Sequence, residues 1–130
     1  MIQLFILPSH AKNAGRYKTI GSFPTDCIVK AQTANTFIDV NRSPKEAPWF
    51  GIFFDNEYID ADVKKNLKTF LMTIGNDALV LYKKNYLKNT ADFCPRIFRS
   101  SVELTDNFAP KWDIKFEKIL NGWICEHGFS

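Results

Sequence analysis

Asp55 and Glu57 stand one residue apart directly after the apolar run Trp49–Phe54, with Asn56 between them. If the strand continues through them, alternation puts both carboxylates on one side, where they can share a hard cation such as Mg²⁺ or Mn²⁺. Open α/β sheets place their ligands at such carboxyl strand ends. The same acidic stretch also reads as a turn that caps the following helix, and spacing alone leaves both readings open.

Few other groups suggest chemistry. The two histidines, His10 and His127, lie beside a loop and near the chain end, where a surface role is the default. Neither a P-loop pattern nor a G-x-S-x-G elbow occurs. The three cysteines, Cys27, Cys94 and Cys125, are odd in number and widely spaced, as expected for buried thiols in a reducing compartment. Cys94 as a nucleophile needs an electropositive partner that the sequence does not place. Arg96, Arg99, Lys83 and Lys84, with Tyr82, Tyr86 and Phe98 nearby, read either as a stacking-and-charge surface for a single strand or as the solvated face of a hairpin. The net charge of +3 is small and its cations are spread along the chain, so nucleic acid is disfavoured as a partner.

These residues need a scaffold. The 130 residues allow one domain, and 45% hydrophobic with 24% charged residues is ordinary globular composition. No apolar run approaches the roughly 18 residues that span a bilayer. Ile2–Leu7 lacks a basic leader and a cleavage site and reads as a first strand, which leads to an expected cytoplasmic location. A second strand is expected at 27–31, a loop with a short extended piece at 36–40, and a central strand at Trp49–Phe54, apolar enough to be buried on both faces. Val63, Leu67, Phe70, Leu71 and Ile74 form one helical stripe, with Asp60 as N-cap and Gly75 as stop. Strands at 78–82 and 95–101 follow without an intervening helix and are expected to pair antiparallel. Trp112, Phe116, Ile119 and Leu120 predict a second helix from Pro110, then a short strand at 123–125. The sum is an α/β fold: one small domain over residues 1–130, with a mixed, mostly parallel central sheet flanked by helices.

In this order the pieces resemble a GT-A-type glycosyltransferase in truncated or minimal form. The likeness rests on the first strand and its loop Ile6-Leu7-Pro8-Ser9-His10-Ala11-Lys12-Asn13, on Trp49-Phe50-Gly51-Ile52-Phe53-Phe54-Asp55-Asn56-Glu57 as a D-x-D-like element, on Pro95-Arg96-Ile97-Phe98-Arg99, and on the terminal Glu126-His127. It implies a metal-dependent transferase with a nucleotide-sugar donor and an acceptor as partners. Asp55, Glu57 and His127 would hold a Mn²⁺ or Mg²⁺ cofactor on the donor diphosphate. Lys12, Asn13, Arg96 and Arg99 would bind substrate, and Glu117 or Glu126 would serve as catalytic base. Residues 33–48 are shorter than the segment that builds the nucleotide pocket in that family. A reading of another class stands beside it: a non-enzymatic binding or assembly protein with a degenerate transferase-like fold, for which an oligomer is open.

Overall fold

A computed structural model describes residues 1–9, 15–85 and 87–126. Seven strands form one sheet in the order β2-β1-β3-β6-β5-β7-β4: β1 Ile2–Leu7, β2 Ile28–Thr33, β3 Trp49–Phe54, β4 Glu57–Ile59, β5 Ala78–Asn85, β6 Thr90–Arg99 and β7 Phe116–Glu126. The helices are α1 Arg16–Gly21, α2 Phe37–Arg42 and α3 Ala61–Thr73, with a 3-10 turn at Thr25–Cys27.

The fold corrects the expected class. Strand outweighs helix, 43% to 23%, and the sheet is a curled half-barrel. It is not a mostly parallel sheet flanked by helices. β1 pairs parallel with β2 and β3, and β5 with β7, but β3/β6, β5/β6 and β4/β7 are antiparallel. The helix expected from Pro110 is instead the long strand β7. Of its supposed stripe, Trp112, Phe116 and Leu120 are exposed, and only Ile119 is buried. A bulge hides the strand's alternation: between Val80 and Tyr82 on β5, β7 advances from Lys118 to Trp123, and Asn121 takes a left-handed conformation (φ 58°). Residues 36–40 also differ. Thr36 accepts a bond from the Asp39 amide at 3.2 Å and caps α2.

Other elements form as expected. β3 spans Trp49–Phe54 and its first five residues are buried. Asp60 caps α3, accepting from the Val63 amide at 2.9 Å. Val63, Leu67 and Leu71 of α3 pack against Ile2, Leu4, Leu79 and Leu81 on one face of the sheet. On the other face Phe5, Phe50, Ile52 and Phe98 are covered by Val40 of α2 and by Val102 and Leu104 from an irregular segment. Helix thus covers only part of each face.

The curl follows from chain connectivity. β4 begins after only Asp55 and Asn56, yet lies four places from β3 in the sheet order. A flat sheet would separate them by about 19 Å at ~4.8 Å per strand. The link can span no more than about 11 Å. The sheet must therefore roll until its far edge returns beside β3.

Gly122 ends the bulge in β7. A Cβ there would lie 2.8 Å from Ile119 Cγ2 and 3.1 Å from Leu81 Cδ2, whereas Gly75 has nothing within 4 Å. Gly122→Ala is expected to destabilise the protein by about 1–3 kcal/mol through overpacking. Gly75→Ala should be neutral or slightly stabilising. Denaturant midpoints of the two variants check this, and equal midpoints would show that the bulge is loosely packed.

Candidate functional site

The parallel triplet β2-β1-β3 brings three carboxyl ends together at Thr33, Leu7 and Phe54. A cavity of about 400 Å³ opens there, lined in part by Pro8, Arg16, Tyr17, Asn35 and Asp55. Backbone bonds fix its rim. The Asp55 amide donates to the Leu7 carbonyl at 2.9 Å, and the Gly15 amide to the Asp55 carbonyl at 3.0 Å. Asp55 Oδ1 accepts from the Ser9 amide at 3.0 Å and from the Ser9 hydroxyl. α1 is pinned to the same corner by Thr19, whose hydroxyl donates to the Glu57 carbonyl at 2.5 Å. This places Arg16 and Tyr17 at the rim, both exposed, with the guanidinium 5.4 Å from the ring centroid. Among the described residues the cavity is therefore bordered by one carboxylate, one guanidinium and one exposed aromatic ring.

Glu57 is elsewhere. The chain turns at Asp55-Asn56, and Glu57 begins β4 with its side chain fully buried inside the curl. Its Oε1 accepts from Arg96 Nη1 at 2.6 Å and from the Phe54 amide at 2.7 Å. Its Oε2 accepts from Arg96 Nη2 at 3.0 Å and from Lys83 Nζ at 2.6 Å. Lys83 also pairs with Glu126. The Arg96 guanidinium lies 4.0 Å from the Phe108 ring centroid, and its Nε is buried without a hydrogen-bond partner among the described residues. Burial opposes ionisation of Glu57, but the charge and hydrogen bonds of Arg96, with those of Lys83, outweigh it and hold the carboxyl below its ordinary range. Burial likewise opposes the Lys83 ammonium, while Glu57 and Glu126 more than offset it and raise that group.

The expected site residues thus divide into five groups. Asp55 lines the cavity. Glu57, Arg96 and Glu126 meet in the buried cluster, where each has an ionic partner. Arg99 lies at the other end of β3, opposite Trp49. There it donates to the Ile74 carbonyl at 2.6 Å and the Asn76 carbonyl at 3.3 Å. Glu117 is three strands from β3, level with Gly51 through Leu79 and Ile97, and accepts from Asn76 at 2.9 Å. Lys12, Asn13 and His127 lie outside the described residues, as does His10. The sequence reading gave no site role to Ser9, which lies within the first-strand loop it singled out, or to Arg16 and Tyr17, which follow that loop.

Among the described residues no three His, Cys, Asp or Glu side chains cluster to hold a metal. One carboxylate beside a guanidinium still suits a cation that arrives on a diphosphate, since Mg²⁺ is commonly held by one or two carboxylates and substrate phosphates. Cys27, Cys94 and Cys125 are free, and burial raises each above its ordinary value. No helix among the described residues is long and apolar enough to cross a membrane.

Glu57→Ala is expected to destabilise the protein by about 3–5 kcal/mol, because it leaves Arg96 buried and unpaired. The sign of the pH effect follows from the lowered Glu57 carboxyl. Its contribution is present in full above the unfolded-state value near 4.5 and is lost as pH falls through the lower folded value. Urea midpoints should therefore fall with acidification below about pH 4.5. In Glu57→Gln this acid limb should flatten, and an unchanged limb would mean that other carboxylates control it. No family model matches the chain, and no curated protein matches it either.

Proposed function

We propose that the chain is a glycosyltransferase-like protein that binds a nucleotide-sugar donor in the cavity over β2-β1-β3. One observation carries the reading: three parallel strands end on a cavity bordered by Asp55, the position at which open sheets of this connectivity take ligands. The parts suit the donor. Tyr17 offers a ring face for a base, Arg16 a bidentate donor for phosphate, and Asp55 a carboxylate for a divalent cation. Such a cation, when bound, neutralises charge on the diphosphate as a leaving group. Ser9 holds the Asp55 carboxylate in place from below.

A second reading has its own support. Glu126 and Glu57 are engaged in ion pairs, and Glu117 lies far across the sheet. No catalytic base among the described residues faces the cavity other than Asp55. This favours binding without transfer, as in a non-enzymatic protein that keeps the donor corner.

Thermal melting with millimolar UDP, GDP or ADP, with and without Mn²⁺, tests the proposal. Wild type is expected to be stabilised by at least one nucleotide, more strongly with Mn²⁺. Asp55→Asn keeps an acceptor for Ser9 but removes the charge, and should lose the Mn²⁺-dependent part. If no nucleotide raises the wild-type melting temperature, the proposal fails. Release of nucleoside diphosphate from nucleotide-sugars then separates the readings: turnover supports the transferase, and stabilisation without turnover the binding protein.

A further inference from the structure

The outer face of β6, β5 and β7 carries a row of rings that the donor cavity does not use. Tyr82 is the direct cross-strand partner of both Phe93 and Trp123. Its ring centroid lies 5.1 Å from that of Phe93 and 5.7 Å from that of Trp123. Phe93 is 54% exposed, and the other two are half-buried. Cross-strand partners project to one side, so the same face continues through Lys84 on β5 and Lys118 on β7. The Lys118 ammonium stands 4.3 Å from the Phe93 ring centroid, reaching across β5 to do so. Phe116, 43% exposed, shares this side of β7.

The carboxylates of these strands belong to the other side. Asp92 is the ladder partner of Lys83, Glu117 alternates with Lys118, and Glu126 bonds Lys83 inside the curl. Within β5, β6 and β7 the register therefore places cations and no acid beside the exposed rings; Asp60, whose amide bonds the Trp123 carbonyl from beyond β4, turns its carboxylate to the Val63 amide. Beside the row, Trp123, Lys84, Cys125 and Tyr58 border a cavity of about 370 Å³ that Lys83 and Glu126 also line.

We propose that this face binds single-stranded nucleic acid. Bases would stack on the Phe93–Tyr82–Trp123 row, with phosphates running past Lys118 and Lys84. Rings on adjacent strands of a sheet accept successive bases, and every base has a π-face. A neutral glycan would use the rings but has no need of the cations, and an acidic peptide would use the cations but not the rings. Their combination selects a polymer that alternates planar rings with phosphates. The sequence reading disfavoured nucleic acid because the cations are scattered along the chain; the sheet gathers two of them beside three rings. This proposal does not depend on the donor cavity.

The test is fluorescence anisotropy of labelled oligo-dT and oligo-rU of about 15 nucleotides, a length suited to one such site, at low and physiological salt. Binding of either oligomer is expected, with affinity falling as salt rises; the stronger of the two identifies the nucleic acid. Phe93→Ala should weaken binding about tenfold, and Lys118→Gln should lower the salt slope by about 0.7. Both positions are exposed, and unchanged melting temperatures confirm that the variants fold. Lys30→Gln, an exposed lysine on β2 paired with Glu46, should change affinity less than twofold, which sets aside bulk charge. The proposal is overturned if neither oligomer binds at low salt, if Phe93→Ala binds like wild type, or if Lys30→Gln and Lys118→Gln weaken binding equally. Phe93-dependent binding of maltoheptaose without oligonucleotide binding, or Phe93-dependent self-association in its place, would also overturn it.

Discussion

The Glu57 carboxylate is fully shielded from water, and the curled sheet closes around it. A buried carboxylate costs several kcal/mol in lost hydration unless cations and hydrogen bonds replace the water. Here one side chain from each of four strands meets: Glu57 from β4, Lys83 from β5, Arg96 from β6 and Glu126 from β7. Two positive and two negative groups sum to zero, so the cluster is neutral as a whole. Loss of Glu57 leaves Arg96 without its ionic partner, and loss of Lys83 does the same to Glu126. The Phe54 amide joins the cluster from the end of β3, which ties the first half of the sheet to the rolled second half. No apolar contact would fix the roll so specifically, because apolar packing tolerates sliding along a strand and a bidentate guanidinium does not.

The cluster also determines what the strand end can present. With Glu57 drawn inward, Asp55 alone remains at the mouth of β1 and β3, braced by Ser9 and by backbone bonds to Leu7 and Gly15. The rigid interior and the open corner are two results of the same turn. Asn56, 7% exposed, is packed within that turn, so the two carboxylates cannot converge without unwinding it.

Some of this was legible in the sequence. β3 was readable because six apolar residues in a row have no other stable place than a sheet buried on both faces. α3 was readable because its stripe and its Asp60 cap agree. β7 was not. Trp112, Phe116, Ile119 and Leu120 keep helical spacing by coincidence, and a bulge at 119–122 breaks the alternation that would have revealed a strand. The site was half legible for a related reason. Alternation correctly relates residues one apart only while the strand continues, and a turn between Asp55 and Glu57 sends them to different environments. Arg96 was singled out as a phosphate ligand because arginine suits phosphate; the same bidentate geometry suits a buried carboxylate, and sequence does not say which anion is nearer.

A single carboxylate at the strand end has a consequence for how a cation would bind under the proposed reading. A preformed site with several carboxylates can take a divalent ion before the nucleotide arrives. One carboxylate cannot displace enough of the water around Mg²⁺ or Mn²⁺ to hold it firmly, because these ions give up hydration reluctantly and need further oxygen ligands. The diphosphate supplies those oxygens. Cation and nucleotide would then each raise the affinity of the other by the same factor, as linkage requires. Under that reading, the buried position of Glu57 would turn a motif suggestive of a standing metal site into a corner where the cation arrives as part of the ligand.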